Sequence, residues 1–326
     1  MTSAPKECQC NQDVSEEKNL WDKILEGVNL PPNESGNDEG EAKGTVQSSP
    51  TMVFSVIGDS DSFVPRPWPK TVFQTALIEA AKSGGETWIL YSGAEQGVSK
   101  VVRDAYKYYE DMEFKTKRVE KEISDPDRHV KLISMAGNKT NNSATQKGKS
   151  FIEVKPMRPT VFKTTSGKGD NFLLKFEKFI SEQTVAFFSQ KLDARMPVPV
   201  AIIVCEGDID TIAHIAKALE RKLPVIIMKG SGTAADVVID YLENEDLLPK
   251  KASILLGIQF DDTKYQELKT HLEKIRTARN LVGIFDLDRD DPLTLSNIVG
   301  DTVVSCWSIE NILETIKHGS MLLSLE

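Results

Sequence analysis

The chain has 326 residues, of which 40% are hydrophobic, and this is enough to bury a full core as one α/β domain with appendages. Its formal net charge is −9 and no predicted element clusters lysine and arginine, so we expect no nucleic acid as partner. Apolar runs such as 198–205 are far shorter than the roughly 18 residues that a membrane helix requires, and the first residues lack the pattern of a secretion signal. We therefore predict no membrane span in this chain, and a location in the cytoplasm or on the cytoplasmic side of a membrane protein.

The first 50 residues differ from the rest in charge and composition. They hold four lysines against ten aspartates and glutamates, a net charge of −6, and residues 31–50 are rich in Pro, Asn, Gly and Glu. We predict an acidic, largely disordered tail over residues 1–50, with one short helix at 19–25. Cys8 and Cys10 could ligate a metal in principle, but no second Cys or His pair lies at a usable spacing, so no metal site is predicted.

From residue 52 onward, buried-strand patterns alternate with amphipathic helix patterns. This order is typical of a parallel sheet with helices on both faces. We predict an α/β fold, a doubly wound and mostly parallel sheet over residues 51–245, with a ligand crevice at the carboxyl ends of its strands. The predicted strands are 52–57, 87–91, 130–135, 198–205 and 224–228, and the predicted helices are 70–82, 98–112, 172–192, 209–219 and 234–242.

One segment inside this region fits the alternation less well. Residues 151–155 and 160–164 are predicted as an edge hairpin, because Pro156 and Pro159 would remove ladder hydrogen bonds from a central strand.

Residues 246–326 are predicted as a mostly helical C-terminal extension. Helices are expected at 263–278 and 309–318, and a short strand or buried run at 281–285. The apolar segment 321–325 has nothing after it to cover it and indicates an interface or a cut edge.

Two glycine-rich loops each lie between a predicted strand and a predicted helix. The loop at 92–97 contains Gly93 and Gly97, and the loop at 230–233 reads Gly230-Ser231-Gly232-Thr233. Glycines let backbone N–H groups approach a ligand, and a helix N-terminus carries partial positive charge. Each loop could therefore hold a phosphate or a carboxylate, and we predict the ligand site there.

Three other motif matches are incomplete. Residues 230–235 fit the G-x-G-x-x-A form of the dinucleotide fingerprint, but the acidic residue expected about 20 positions later is missing. Residues 147–150 imitate the end of a P-loop, yet no buried strand precedes them. The aspartates of 286–291 resemble a calcium loop, but Asp291 stands at the obligatory glycine position, which favours a solvated turn.

Several segments resemble one known family. The segments are 87–100 (TWILYSGAEQGVSK), 174–184 (LKFEKFISEQT), 197–207 (PVPVAIIVCEG) and 224–237 (PVIIMKGSGTAADV). They resemble the N-terminal cytosolic homology region of melastatin-type transient receptor potential (TRPM) cation channels, in the same order over roughly residues 52–290. The resemblance implies a Rossmann-like SLOG fold. It also implies a ligand-sensing and subunit-assembly domain of a calcium-permeable cation channel, with other channel subunits as partners in a homotetramer.

The resemblance also implies a ligand site, with departures. In ADP-ribose-gated members this domain binds ADP-ribose between the glycine loops and the helix corresponding to 172–192. The family's G-S-G-R pattern ends here on Thr233, so an arginine is missing, and Asp208 and Asp210 place negative charge where a phosphate would approach. A divergent domain is expected, which binds ADP-ribose or a related nucleotide or has lost that binding. The implied ligand-binding residues are Gly93, Gly97, Lys175, Gly207, Gly230, Ser231, Gly232 and Thr233.

Catalysis is not expected. SLOG relatives include phosphoribohydrolases, whose motif supplies carboxylates beside the ribose, but the corresponding turn here ends in residues 211–214, Thr-Ile-Ala-His, without those acids. An enzyme would have to use His214, Asp208 or Asp210 instead, and a histidine on the surface of its helix is the favoured interpretation of His214. The alternative functions are a free-standing nucleotide-binding protein of SLOG fold and a phosphoribohydrolase-like enzyme.

Overall fold

The computed structural model describes residues 15–28, 49–59, 68–119, 130–135, 151–153, 172–189, 192–260 and 262–307. The strands are β1 (Met52–Ile57), β2 (Thr87–Tyr91), β3 (Val130–Ser134), β4 (Phe151–Glu153), β5 (Thr184–Ser189), β6 (Leu192–Pro197), β7 (Val200–Val204), β8 (Val225–Lys229) and β9 (Val282–Asp286). The helices are α1 (Glu16–Val28), α2 (Lys70–Ser83), α3 (Gly97–Val119), α4 (Phe172–Ser181), α5 (Ile209–Glu220), α6 (Thr233–Glu243), α7 (Leu248–Lys251), α8 (Thr263–Thr277) and α9 (Thr294–Cys306).

Seven strands form one parallel sheet in the order β4-β3-β2-β1-β7-β8-β9. Strands β1, β2, β3 and β7 are buried at every residue, because helices cover both faces of the sheet. The predicted doubly wound α/β fold is thereby confirmed. The strand order changes direction between β1 and β7, where Val53 pairs with Val200.

Two hydrophobic cores lie on opposite faces of the sheet. One is formed with α1, α4, α5, α6 and α8, and the other with α2, α3 and α9. Alternate residues of a strand point to opposite faces, so Val53 contributes to the first core and Phe54 to the second. The strands between the two cores are therefore mostly apolar, which explains the apolar runs in the sequence.

The chain beyond residue 245 continues the same sheet and the same cores. The strand expected at 281–285 is present as β9, which pairs with β8 in the register Val225 to Val282, and the helix expected at 263–278 is present as α8. Helix α9 packs against α2 and β9. Whether residues 51–245 fold without this part stays a prediction, and the helix expected at 309–318 lies outside the described residues.

The prediction of one long helix over 172–192 is wrong. Helix α4 ends at Ser181, and the following residues form an antiparallel hairpin of β5 and β6 in which Thr184 pairs with Pro197. The run Thr-Val-Ala-Phe-Phe-Ser of β5 is rich in β-branched and aromatic residues, which favour a strand over a helix. The first ten residues, with apolar residues at helical spacing, form α4, and the strand preference of the residues after them ends the helix.

At the opposite edge of the sheet, β4 pairs in parallel with β3, in the register Leu132 to Phe151. Among the strands that the structure describes, β4 lies at the edge of the sheet, as predicted for residues 151–155. The second half of the predicted hairpin, 160–164, lies outside the described residues.

The short helix predicted near the start of the chain is present as α1, and it packs into the core. Leu20 and Ile24 are buried, and the ring of Trp21 lies 5.1 Å from that of Trp88 and 6.4 Å from that of Phe179. Sequence analysis placed this helix within an acidic tail and did not anticipate its packing. The spacing of its apolar residues, one turn apart, is the signal that could have shown it.

In the part of the chain that the structure describes, no helix has both the length and the apolar character to cross a membrane.

Candidate functional site

The carboxyl ends of β1 and β7 lie side by side where the strand order reverses, the place where open α/β sheets bind ligands. Gly58 follows β1 with a φ of 134°, and a Cβ atom added there would lie 1.6 Å from the carbonyl oxygen of Cys205. No side chain fits that space, so position 58 requires glycine. The Cys205 N–H donates to the carbonyl of Ile57 at 3.1 Å and joins the two strand ends.

Cys205 itself is a buried thiol behind this contact. Burial raises its pKa well above the usual value, and the negative charges of Glu206 and Asp59 raise it further. Because the thiolate is the nucleophilic form, a thiol held in the protonated state is unreactive. Cys205 therefore acts as a core side chain.

The first glycine loop joins β2 to α3, and its polar groups converge on one carboxylate. Asp59, which follows Gly58, accepts hydrogen bonds from the Ser92 hydroxyl at 2.5 Å, from the Ser99 hydroxyl, and from the Ser99 N–H at 3.0 Å. Ser99 lies in the first turn of α3, where backbone N–H groups have no partner within the helix. Asp59 therefore occupies the position at this helix N-terminus that an anionic ligand would take.

The turn after β7 contains Gly207 and Asp208, and Asp208 caps α5. Its Oδ1 accepts from the Thr211 N–H at 3.1 Å, while the Thr211 hydroxyl accepts from the Asp208 N–H at 3.2 Å. This reciprocal pair is a capping box. Burial raises the pKa of the Asp208 carboxyl above its usual value, although hydrogen bonds from Thr211 oppose that shift.

The second glycine loop joins β8 to α6 and is tied both to its own helix and to the turn after β7. The Gly230 N–H donates to Oδ1 of Asp236, in the first turn of α6, at 2.8 Å. The Ser231 hydroxyl donates to the Met228 carbonyl at 2.7 Å and accepts from the Glu206 N–H at 2.9 Å. Burial raises the pKa of the Asp236 carboxyl above its usual value, and its hydrogen bond from Gly230 opposes the shift.

Thr233, the first residue of α6, differs from its neighbours. Its φ is 42°, and its Oγ1 is buried without a hydrogen-bond partner among the described residues. Leaving a buried hydroxyl unpaired costs about 1–3 kcal/mol. Within the second glycine loop, this hydroxyl is a buried polar group that no described residue pairs with.

Three carboxylates of the chain itself therefore lie at or beside helix N-termini along this edge of the sheet. Asp59 lies at α3, Asp208 at α5 and Asp236 at α6. A helix N-terminus carries the equivalent of about half a positive charge, which one carboxylate more than offsets. A phosphate entering the crevice would meet negative charge where a nucleotide-binding loop usually offers positive potential.

The structure brings most of the predicted ligand residues to one edge of the sheet but leaves one apart. The five glycines and Thr233 all have positive φ values, and Ser231 is buried between the second loop and the turn after β7. Lys175 is exposed on α4, and no hydrogen bond or ion pair within the described residues joins it to the loops. The glycines concerned are Gly93, Gly97, Gly207, Gly230 and Gly232.

Sequence analysis anticipated negative charge from Asp208 and missed Asp59 and Asp236. The signal for Asp236 is its position in the first turn of a helix, where aspartate is favoured. Asp59 gives no local signal, because it caps a helix that begins 38 residues later in the chain.

A second polar cluster is buried deep on the α4 and α5 side of β1. Glu177 of α4 is fully buried, and its carboxylate accepts from the Ser55 hydroxyl at 2.5 Å and lies 2.8 Å from Nε2 of His214. The prediction of a surface histidine is thus wrong: His214 is 5% exposed, on the inner side of α5. The carboxylate stands between serine and histidine, so this cluster does not join a nucleophile directly to a base, as nucleophilic catalysis requires.

A surface cavity of about 480 Å³ lies beside the first glycine loop, between α2 and α3. Its lining residues are Lys70, Gln74, Gln96, Gly97, Lys100, Val101 and Asp104.

Across the described residues, no three or more Cys, His, Asp or Glu side chains are grouped so that they could hold a metal ion.

The strand order, the two helical layers and the glycine loops at the switch point define a doubly wound α/β protein of the Rossmann-like class. Comparison with known families narrows this class. The family model described as SLOG in TRPM matches residues 43–123 and 162–254, more than half of the chain. The chain therefore belongs to the SLOG family of TRPM channels, as the sequence segments predicted.

Individual relatives are distant and much longer than this chain. It is 26% identical to human transient receptor potential cation channel subfamily M member 5, over 77% of this chain and 23% of that protein. The Nematostella vectensis subfamily M member-like 2 is 28% identical over 73% of this chain and 17% of its own length. Rat transient receptor potential cation channel subfamily M member 4 is 23% identical over 80% of this chain and 23% of its own length. The chain spans less than a quarter of the length of these curated relatives.

Proposed function

We propose that this chain is a non-catalytic cytosolic domain of a TRPM-like, calcium-permeable cation channel, that it acts by packing against other channel subunits, and that its crevice is closed to nucleotide phosphates. The observation that carries the closed crevice is the position of three carboxylates at this edge of the sheet. Asp59 accepts from the first turn of α3, Asp208 caps α5, and Asp236, in the first turn of α6, accepts from the loop before that helix. The family to which the chain belongs, and relatives that are cation channels by name, support the channel association.

The absence of catalysis is part of the proposal. Two of the three groups that could replace the missing acids of the phosphoribohydrolase relatives are already engaged, since Asp208 caps α5 and His214 contacts Glu177. A general acid or base must reach its substrate, and His214 is enclosed in the core.

Channel association is tested by co-expressing the tagged full chain with a complete TRPM-type subunit and purifying the complex in detergent. We expect the two chains to elute together at the size of a tetrameric channel. An unrelated tetrameric cation channel without a SLOG domain is the matched control, and equal recovery with both channels would contradict the proposal.

Closure of the crevice is tested by calorimetry of the full chain with ADP-ribose. We expect no heat of binding. Saturable binding by the unmodified chain would show that the internal carboxylates do not exclude the nucleotide.

A second candidate function, binding of ADP-ribose or a related nucleotide at the glycine loops, is favoured by one observation, the unpaired buried hydroxyl of Thr233. In this candidate the ligand would contact Gly93, Gly97, Lys175, Gly207, Gly230, Ser231, Gly232 and Thr233. A thermal-shift screen of nucleotides against the wild-type chain and Gly232→Glu tests it. Gly300→Glu is the control, because Gly300 is exposed on α9 with open space around it.

A further inference from the structure

We infer that Asp59 is a tethered anion, a built-in occupant that closes the first glycine loop, and that the groups around it form a phosphate site once the carboxylate is removed. This inference rests on the proposed closure of the crevice and names the residue that determines it. The ligand class is a tetrahedral oxyanion, inorganic phosphate or the phosphate of a small ester.

The contacts of Asp59 are those of a bound anion. One carboxylate accepts from two hydroxyls and one helix N–H, those of Ser92 and Ser99. The two hydroxyl oxygens lie 2.6 Å from each other, and the Ala94 N–H donates to Ser92 at 3.2 Å. Ser92 and Ser99 are buried, so their donors have little access to bulk water. An array of preorganised donors at a helix N-terminus is the usual protein solution for holding a phosphate.

The tether makes Asp59 different from an ordinary helix cap. Capping residues are normally adjacent to the helix that they cap, as Asp208 is to α5. Asp59 instead comes from the end of β1 and reaches Ser92 and Ser99, which lie 33 and 40 residues later in the chain. Gly58, pressed against the Cys205 carbonyl, fixes where β1 ends and hence where the carboxylate stands.

Removing the carboxylate would leave donors without an acceptor. The two serine hydroxyls and the Ser99 N–H would then require water or an anion, because unpaired buried donors are unfavourable. Positive charge is present nearby, since Arg103 donates to the carbonyls of Ala94 and Glu95 in the same loop, each at 3.4 Å. The emptied position therefore offers hydrogen-bond donors to an anion, with the positive charge of Arg103 nearby.

The test compares the full wild-type chain with Asp59→Ala and Asp59→Gly, in buffers with and without inorganic phosphate at matched ionic strength. We expect phosphate to raise the melting midpoint of both variants by at least about 2 °C and to leave that of the wild-type chain unchanged. Calorimetric titration with phosphate, and then with ADP-ribose, shows whether the restored site accepts the free ion alone or also the esterified group.

Two further variants separate a specific site from general effects. Asp262→Ala removes an N-cap aspartate of α8, whose carboxylate accepts from the Lys264 N–H at 3.0 Å at an exposed position, and it should show no response to phosphate. Adding Ser99→Ala to Asp59→Ala removes a donor of the site and should abolish most of the gain in phosphate binding.

Three results would overturn the inference. The first is an equal phosphate response of the wild-type chain and the Asp59 variants. The second is no response of Asp59 variants that remain folded by circular dichroism. The third is loss of folding in both variants, which would make Asp59 a structural cross-link. ADP-ribose binding by the wild-type chain would instead refute the proposed closed crevice, so the two failures are distinguishable.

Discussion

Two carboxylates contact or follow strand β1, and they act in opposite settings. Glu177 is fully buried in the core and is held between the side chains of Ser55 and His214, which lie on β1 and α5. Asp59 lies at the half-exposed edge of the sheet and is held by the helix N–H and hydroxyl of Ser99 and by the hydroxyl of Ser92. The first joins a helical layer to the sheet, whereas the second fills a place at which a ligand could bind.

The difference shows how burial changes the role of one chemical group. A carboxylate inside a core must be fully paired, and loss of its partners or of the carboxylate itself is costly. A carboxylate at the edge retains access to water, so its removal costs less and opens space. The substitutions below test this contrast, in order of decreasing effect.

The largest effect is expected from Glu177→Ala. The substitution leaves Ser55 and His214 without the carboxylate that pairs them, inside a core that water does not reach. Breaking a buried pair by removing one partner costs about 3–5 kcal/mol. Urea denaturation should therefore show a loss of stability of that size. Glu177→Gln keeps a hydrogen-bonding group and should lose less stability than Glu177→Ala.

The control for this loss is Glu182→Ala, just beyond the end of α4. Glu182 forms an exposed pair with Lys178 at 3.5 Å, which contributes about 0–1 kcal/mol. A similar cost for the two alanine variants would contradict the contrast between core and surface carboxylates.

A smaller loss is expected from Asp208→Ala at the crevice. This substitution removes the capping box of α5, and loss of an N-cap aspartate costs typically about 1 kcal/mol. Asp208→Asn keeps an oxygen that can accept from Thr211 and should lose less than half as much. Denaturation of both variants measures the difference. A loss above about 3 kcal/mol for Asp208→Ala would show that the crevice carboxylates resemble Glu177 in burial.

The crevice carboxylates should also give a pH dependence. Burial raises the folded-state pKa values of Asp208 and Asp236, so the folded chain holds these protons more tightly than the unfolded chain. Their contribution to stability is full below the ordinary aspartate pKa of about 4 and is lost as pH rises through the raised values. The wild-type chain should therefore lose stability relative to the Asp208→Asn, Asp236→Asn double variant as pH rises from about 4 to neutral.

Urea midpoints measured across that range for both chains check this sign. A stability difference that does not change with pH, or one that moves the other way, would mean that hydrogen bonds from Thr211 and Gly230 outweigh burial.

Much of the fold was predictable because the core is periodic. Strands buried on both faces are mostly apolar runs, so β1, β2 and β7 are visible in the sequence, as is the amphipathic helix α5. The hairpin of β5 and β6 was missed because apolar residues at helical spacing in α4 run directly into it. Periodicity gives no boundary where one apolar pattern follows another.

The site was less predictable than the fold. The glycine loops are local features, and their place between strand and helix shows in the sequence. Asp59 at α3 and Glu177 beside His214 depend instead on contacts between segments 37–40 residues apart. In the sequence, such a carboxylate cannot be distinguished from the other acidic residues, because only the packing of the sheet brings it to its partner.

The smallest effect is expected from Thr233→Val. Valine has the shape of threonine and shares its β-branch, so the cost of the positive φ at this position is unchanged. The substitution removes a buried hydroxyl that has no described partner, and should stabilise the chain by up to about 1 kcal/mol. Thr277→Val is the control, since its hydroxyl donates to the Glu273 carbonyl at 2.9 Å at an exposed position and should give no gain. Destabilisation by Thr233→Val would instead mean that the hydroxyl is satisfied in solution. If the variant is destabilised and also loses a thermal shift that nucleotide gives in the wild-type chain, a ligand binds at the second glycine loop. The second loop would then differ from the first, which Asp59 occupies.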